Sequence, residues 1–468
     1  MIKPPEQIGV RKLGMLAGYG VGDFGLNIYW NSLSIWLVFW YTDVVGIAPE
    51  TAGLIFLIGM IWDAFSDPIV AGASERVRSR FGTYRPFLLY GGPVLGLAAI
   101  LLFWVPPLTG NALIVVLIGV AILFRTAYTL VAIPYAAMSS RLTYDSVVRT
   151  ELSGMRMFCA FGGLLLVSLV FPPLARLFSG GETYTPQGFQ AVIAIGSVVA
   201  VLAILACFFM TREQPIPTSH TSRAGPPVTS LWQRFRTNHA LALLLVIIFF
   251  QSGASAALMI SMVYFIEANK ETFAEKEVVL TAFAVATMIG VPMWTLFARF
   301  AGKKRSWCLS SFAFGLTGLH MLFFGPSIFM GIPLQVVFFG LCLGAFAVLL
   351  WSFIPDAVEY GQIKSGHRSE GVVFGSVLVV QKVSGGVMGV LVTQVLAQIG
   401  YDSDLISQGS SVGSGLIVFL SICPALMLGL STIPVCLLPL NRHIHSDIVD
   451  MLSGHTKDTS QGGEQWQK

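Results

Sequence analysis

The 468-residue chain is a succession of long apolar runs separated by short polar loops. A helix needs about 20 consecutive, mostly apolar residues to cross the hydrocarbon core of a bilayer. Runs of that length centre near residues 28, 62, 96, 125, 165, 200, 252, 289, 316, 343, 384 and 427. The pattern predicts an all-α membrane protein with twelve transmembrane helices. No short signal peptide with a small-residue cleavage site precedes the first run, so that run is expected to stay as a spanning helix.

The loops between these runs alternate in charge. One set collects Lys3, Arg11, Lys12, the arginines from Arg76 to Arg85, Arg141, Arg149, Arg212, Arg299, Lys303, Lys304, Arg305, Lys364, Arg368 and Arg442, whereas the other holds Arg176, Lys270 and Lys276. Lys and Arg are retained on the cytoplasmic side, so both termini are expected there. Arg125 and Lys382 are left inside spans. The longest internal loop, REQPIPTSHTSRAGPPVTSLWQRFRT, has the Pro, Ser and Arg content of a linker. It divides the chain into an N-terminal six-helix bundle (1–211), a cytoplasmic linker (212–237), a C-terminal six-helix bundle (238–440) and a cytoplasmic tail (441–468). The halves repeat faintly. FGTYRP places Gly82 three residues before Arg85, and AGKKRS places Gly302 three before Arg305; ArgThrGlu at 149–151 is matched by ArgSerGlu at 368–370. Matching loops at the same ordinal position point to a duplicated transporter with its site at the midplane between the halves.

Composition agrees. Hydrophobic residues make up 55% and charged residues 11% of the chain, far from the roughly one quarter charged in soluble domains. The net charge of +4 resides in short loops and gives no support to nucleic-acid binding. Six cysteines at wide spacings read as core thiols, without a metal-ligand cluster. There is no GxSxG, Walker-type loop or HExxH, so enzyme chemistry and ATP drive lack their motifs, and no cofactor is implied. Transport then draws on an ion gradient or on the substrate's own.

Candidate chemistry lies in the charged residues within the spans, where ionisable groups are costly and mark pathways by default. Asp63 and Asp67 are one turn apart and share a helix face, an arrangement suited to holding a proton or a cation, with Na+ possible there. Asp23 stands between Gly22 and Gly25, with Asn27 one turn on. Arg125 has two readings: a partner neutralising Asp23 or the Asp63/Asp67 pair, or a binding group for an anionic substrate. Lys382, beside Gly385 and Gly386, is suited to a charge pair with an aspartate of the other half that forms in one access state and breaks in the other. Arg85, Arg149, Glu151, Asp356, Glu359 and Arg368 fall at cytoplasmic helix ends and are expected to gate. Trp40 and Tyr41, at a span end, read as interface anchors.

Several of these blocks together are familiar: GYGVGDFGLNIYW, YTDVVGI, WDAFSDPIVAGASERVRSRFGTYRPFLLYG, IPYAAMSSRLTYDSVVRTELSGMRM, and IPDAVEYGQIKSGHRSEG leading to VLVVQKVSGG. From about Gly18 to about Tyr401 the chain resembles the glycoside-pentoside-hexuronide:cation symporters, the melibiose-permease-like branch of the major facilitator superfamily. The resemblance implies that Asp23 and Arg156 meet a sugar, that Asp63 and Asp67 bind the coupling cation, and that Lys382 links the halves. It also has a gap. The acidic residue that the melibiose permease carries just before IlePro in span four is Ala132 here, and its tryptophan four positions later is Ala136. The expectation is a monomeric symporter of the bacterial inner membrane for a glycoside, oligosaccharide, pentoside or hexuronide, driven by H+ rather than Na+, with Arg125, Arg156 and Lys382 tilting the substrate toward an anionic or large polar one. A lysolipid carrier and a non-transporting receptor are the rivals.

Overall fold

The computed structural model describes residues 5–181, 184–214, 238–269, 272–274, 276–365, 370–400 and 410–439. Most of the expected linker, the tail and Arg368 lie outside the described residues.

Twelve helical rods follow one another: α1 (Pro5–Asn31), α2 (Pro49–Ser74), α3 (Arg85–Leu102), α4 (Gly110–Leu142), α5 (Ser146–Leu165), α6 (Pro186–Met210), α7 (His239–Ala268), α8 (Lys276–Ala301), α9 (Lys303–Phe324), α10 (Leu334–Ser365), α11 (Glu370–Ile399) and α12 (Ser410–Leu437). Eleven are long and apolar enough to cross a membrane. The twelfth, α1, carries Asp23, Asn27 and Asn31 and buries itself between α5 and α6. It can do so because glycines let backbones approach: a β-carbon on Gly25 would come within 2.7 Å of the Ala200 carbonyl oxygen, and one on Gly163 within 2.9 Å of that of Phe24.

Local chemistry sets the helix ends. Asp145 starts α5 by accepting from the Val147 and Val148 amides at 2.7 and 3.1 Å, satisfying donors that an N-terminus leaves open. Thr185 does the same for Gly188 at 3.1 Å, ahead of Pro186 at the first turn of α6. At their far ends α1 and α5 loosen into π-helical turns, Ser32–Trp36, Trp40–Val44 and Leu166–Val170. There the expectation for Trp40 and Tyr41 fails. Both are fully buried, and the Trp40 ring packs inward on Phe103 and Phe189 instead of toward lipid headgroups.

The two halves pack alike. α1 lies against α5 and α6 as α7 lies against α11 and α12; α4 contacts α2 and α3 as α10 contacts α8 and α9. The bundles meet through α5 with α8 and α10, and through α2 and α4 with α11. A short hairpin, β1 (Ile328–Phe329) with β2 (Ile332–Pro333), joins α9 to α10, its turn made by Met330 and Gly331 at positive φ.

Candidate substrate and coupling site

Between the bundles lies a cavity of about 510 Å3, within the range that small-molecule sites occupy. α1 contributes Asp23, Asn27 and Trp30; α2 contributes Asp63 and Asp67; α4, α5, α10 and α11 complete it. Asp63 and Asp67 share one face of α2, and packing brings Asp23 of α1 to the same cavity.

Asp23 is buried and accepts from Arg156 Nε at 3.0 Å and from Asn27 Nδ2 at 3.2 Å. Arg156 is in turn sandwiched: its guanidinium carbon stands 3.9 Å from the Trp351 ring centre and 5.5 Å from that of Tyr135. Cation–π contact of this kind orients the guanidinium while leaving its edge free to donate. Arg156 comes from the N-terminal bundle and Trp351 from the C-terminal one, so this stack spans the cleft.

Asp67 accepts from Thr129 Oγ1 at 3.0 Å and from Lys382 Nζ at 2.6 Å, and Lys382 also reaches Asp63 at 3.9 Å. Lys382 thus bridges α11 to the acids of α2. Arg125 bonds Asp63 through Nη1. Of its two sequence readings the geometry matches the ion pair, with Asp63 and not Asp23 as partner, and Arg125 is not among the residues lining the cavity. The reason is rotational. Asp63 stands between Arg125 and the cavity, so the guanidinium approaches the carboxylate from behind. Arg156, Arg125 and Lys382 are matched one to one by Asp23, Asp63 and Asp67, and an anion would have to displace a carboxylate. Ala132 and Ala136 both line the cavity, leaving space where the melibiose permease has its acid and tryptophan.

At the end of the bundles where the basic loops gather, bonds across the cleft crowd together. Arg149 Nη1 donates to Asp356 at 2.8 Å and to Glu359 at 3.0 Å, and Nη2 also bonds Glu359. Lys303 holds the other oxygen of Asp356 at 2.6 Å. Arg141 Nε and the Tyr84 hydroxyl converge on Glu370 at 2.8 and 2.5 Å. Burial, and then the Glu370 charge beside it, push the Tyr84 phenol well above its ordinary range, so it stays a donor. Glu75 accepts from the Gly371 amide at the start of α11. Glu151 pairs with Lys12 at 2.5 Å and with Arg299 of the other bundle at 3.7 Å. Arg85 bonds within one bundle. Its guanidinium bonds the Phe81 and Phe208 carbonyls at 3.1 and 2.7 Å, both in its own bundle, because α3 starts beside the end of α6 and faces away from the cleft. Trp351 and Thr129 join these clusters without a signal in the sequence pattern, since a polar or aromatic residue in an apolar run declares no partner, and Lys303, Glu75 and Tyr84 join them from the loops between the runs.

A helical pair of bundles enclosing a cavity whose largely apolar wall carries a few charged groups, sealed at one end by ion pairs, is the arrangement of a secondary transporter, not of an enzyme. The chain belongs to the MFS/sugar transport protein family, which it matches over residues 18–442. It is 28% identical over 416 residues to the inner membrane symporter YicJ of Escherichia coli (strain K12), covering 89% of each chain. It is 26% identical over 458 residues to the isoprimeverose transporter of Lactiplantibacillus pentosus, covering 96% of this chain and 93% of that one. Among solved structures, the major facilitator transporter FucP in its outward conformation superposes with a TM-score of 0.66 at 14% identity, over 92% of this chain and 99% of that one. The protein is a multi-pass integral membrane transporter of the sugar symporter type.

Proposed function

We propose that this chain is an H+-coupled symporter that carries a neutral glycoside or oligosaccharide by alternating access. The 1–211 and 238–440 bundles rock about the cavity, with both termini cytoplasmic in a bacterial inner membrane. The observation that supports it best is the cavity's wall of matched charges. Asp23 with Arg156 and Asn27 offers both acceptors and donors to sugar hydroxyls, the Trp351 ring offers a face, and among the described residues the charged groups of the cavity wall are paired with one another. Asp63 and Asp67 are the coupling acids in this reading. A carboxylate takes a proton without assembling an oxygen shell, and protonating Asp67 weakens its hold on Lys382, which ties substrate-site chemistry to motion of α11. Thr129 on α4, Lys382 on α11 and Asp63 on α2 are the groups that face Asp67. A likeness in name also supports sugar, since the isoprimeverose transporter is among the relatives.

Uptake of neutral glycosides into proteoliposomes tests the reading. An imposed pH gradient should drive accumulation, and addition of substrate should alkalinise the medium. Accumulation that follows a sodium gradient at constant pH, and ignores a proton gradient, would refute H+ coupling.

A further inference from the structure

Arg125 occupies a berth shaped for a guanidinium. It is 4% exposed, its guanidinium carbon lies 5.2 Å from the Phe56 ring centre, and its stem crosses Gly59, where any β-carbon would overlap Nε and Cδ. Gly59 stands one helical turn before Asp63, so α2 both clears the path for the side chain and supplies its carboxylate. Yet the arrangement is a poor device for stability: Nη2 is buried with no partner, a costly omission for a charged donor. Lys382, which meets the same acid pair, differs in two respects. It comes from the opposite bundle and its side chain is about a third exposed, so it can leave when the bundles move, whereas Arg125 and Asp63 share one bundle and travel together.

We propose that Arg125 is a tethered cation, held in the coupling site in place of a mobile metal ion, and that it thereby sets the transporter's ion choice. The proposal rests on reading Asp63 and Asp67 as the coupling acids. A hard cation such as Na+ is held by oxygen ligands, and Asp63, Asp67 and the Thr129 hydroxyl would supply a set of them. With Arg125 in place, Asp63 is already engaged, and a second positive charge at those oxygens is repelled at close range. What remains is Asp67, whose partner Lys382 is exchangeable, so one positive charge moves per cycle.

Sodium alone is the probe. Thermal unfolding of the purified full-length protein is followed in sodium chloride against choline chloride at equal ionic strength. The parent should be indifferent to the exchange. Arg125→Ala vacates the berth and leaves the acid pair one positive charge short, so its Tm should rise by a few degrees in saturating sodium, the scale expected when a ligand binds only the folded state. Arg125→Lys, which keeps the charge, should not respond. If Arg125→Ala does not yield folded protein, Arg125→Gln is measured in its place with the same expected rise. A sodium-dependent Tm in the parent overturns the proposal, and so does indifference of the folded neutral variant. Failure of the H+ symport reading has a separate signature: proton-driven uptake is then absent from the parent while the neutral variant still responds to sodium.

Discussion

Arg149→Ala is expected to unseat the closed end of the transporter. The Arg149 side chain is 1% exposed, and those of Asp356 and Glu359 no more than 3%, so solvent does not screen the cluster while it is closed. Removing one member of such a buried set costs about 3–5 kcal/mol. Two features argue for the lower figure: Lys303 still holds Asp356 at 2.6 Å, and parting of the bundles lets water reach the acids. At about 3 kcal/mol, and 1.4 kcal/mol per factor of ten, the ratio of closed to open conformers falls on the order of a hundredfold. The readout is alkylation by a membrane-impermeant thiol reagent of a Ser352→Cys variant, Ser352 being fully buried beneath the gate with its carbonyl bonded to Lys303. The rate should rise by about that factor when Arg149→Ala is added, and fall back in part when Glu359→Gln relieves the remaining negative charge. A rate unchanged by Arg149→Ala, in protein whose Tm is also unchanged, would show that the cluster does not hold the bundles together.

Three further outcomes are expected. Asp67→Asn should abolish accumulation against a gradient while counterflow exchange of substrate persists, because the energy link is cut and the cavity is kept; undiminished accumulation would remove Asp67 from the coupling role. Gly371→Leu should expose the same Ser352→Cys thiol, since a side chain there meets the Ala71 carbonyl and the Glu75 carboxylate across the cleft; a labelling rate equal to the parent's would contradict the close approach. Glu213→Ala removes the carboxylate that accepts from the Thr83, Tyr84 and Arg85 amides at 2.9, 2.7 and 2.9 Å, a capping loss of about 1–2 kcal/mol. The Tm should fall by about 1–2 °C, since a chain of 468 residues shifts by only about 1 °C per kcal/mol, and a Tm held constant would mean that water replaces the cap without cost.

The helices and the small set of charged residues in the spans were legible in the chain itself. Each follows from a one-dimensional rule: lipid admits long apolar helices whose backbone groups are internally satisfied, and it penalises the charges that remain. Asp23, Asp63, Asp67, Arg125 and Lys382 stand out on that penalty before any contact is known, whereas Arg156, counted with the basic loops, was marked only by the family resemblance. Who meets whom was decided only by the tertiary structure, because a partner is a matter of helix rotation and of distance between segments remote in sequence. Arg125 and Asp63 are 62 residues apart and Lys382 and Asp67 are 315 apart, and nothing in either run states which face turns toward the other. The same is true of Arg85 and Arg149. Both are basic residues at helix ends in the same set of loops, yet α3 turns Arg85 into its own bundle while α5 carries Arg149 across the cleft to Asp356 and Glu359. Trp40 and Tyr41 lie in the core, within a π-helical turn, whose extra residue per turn shifts every side chain beyond it, a rotation that hydrophobic periodicity does not register.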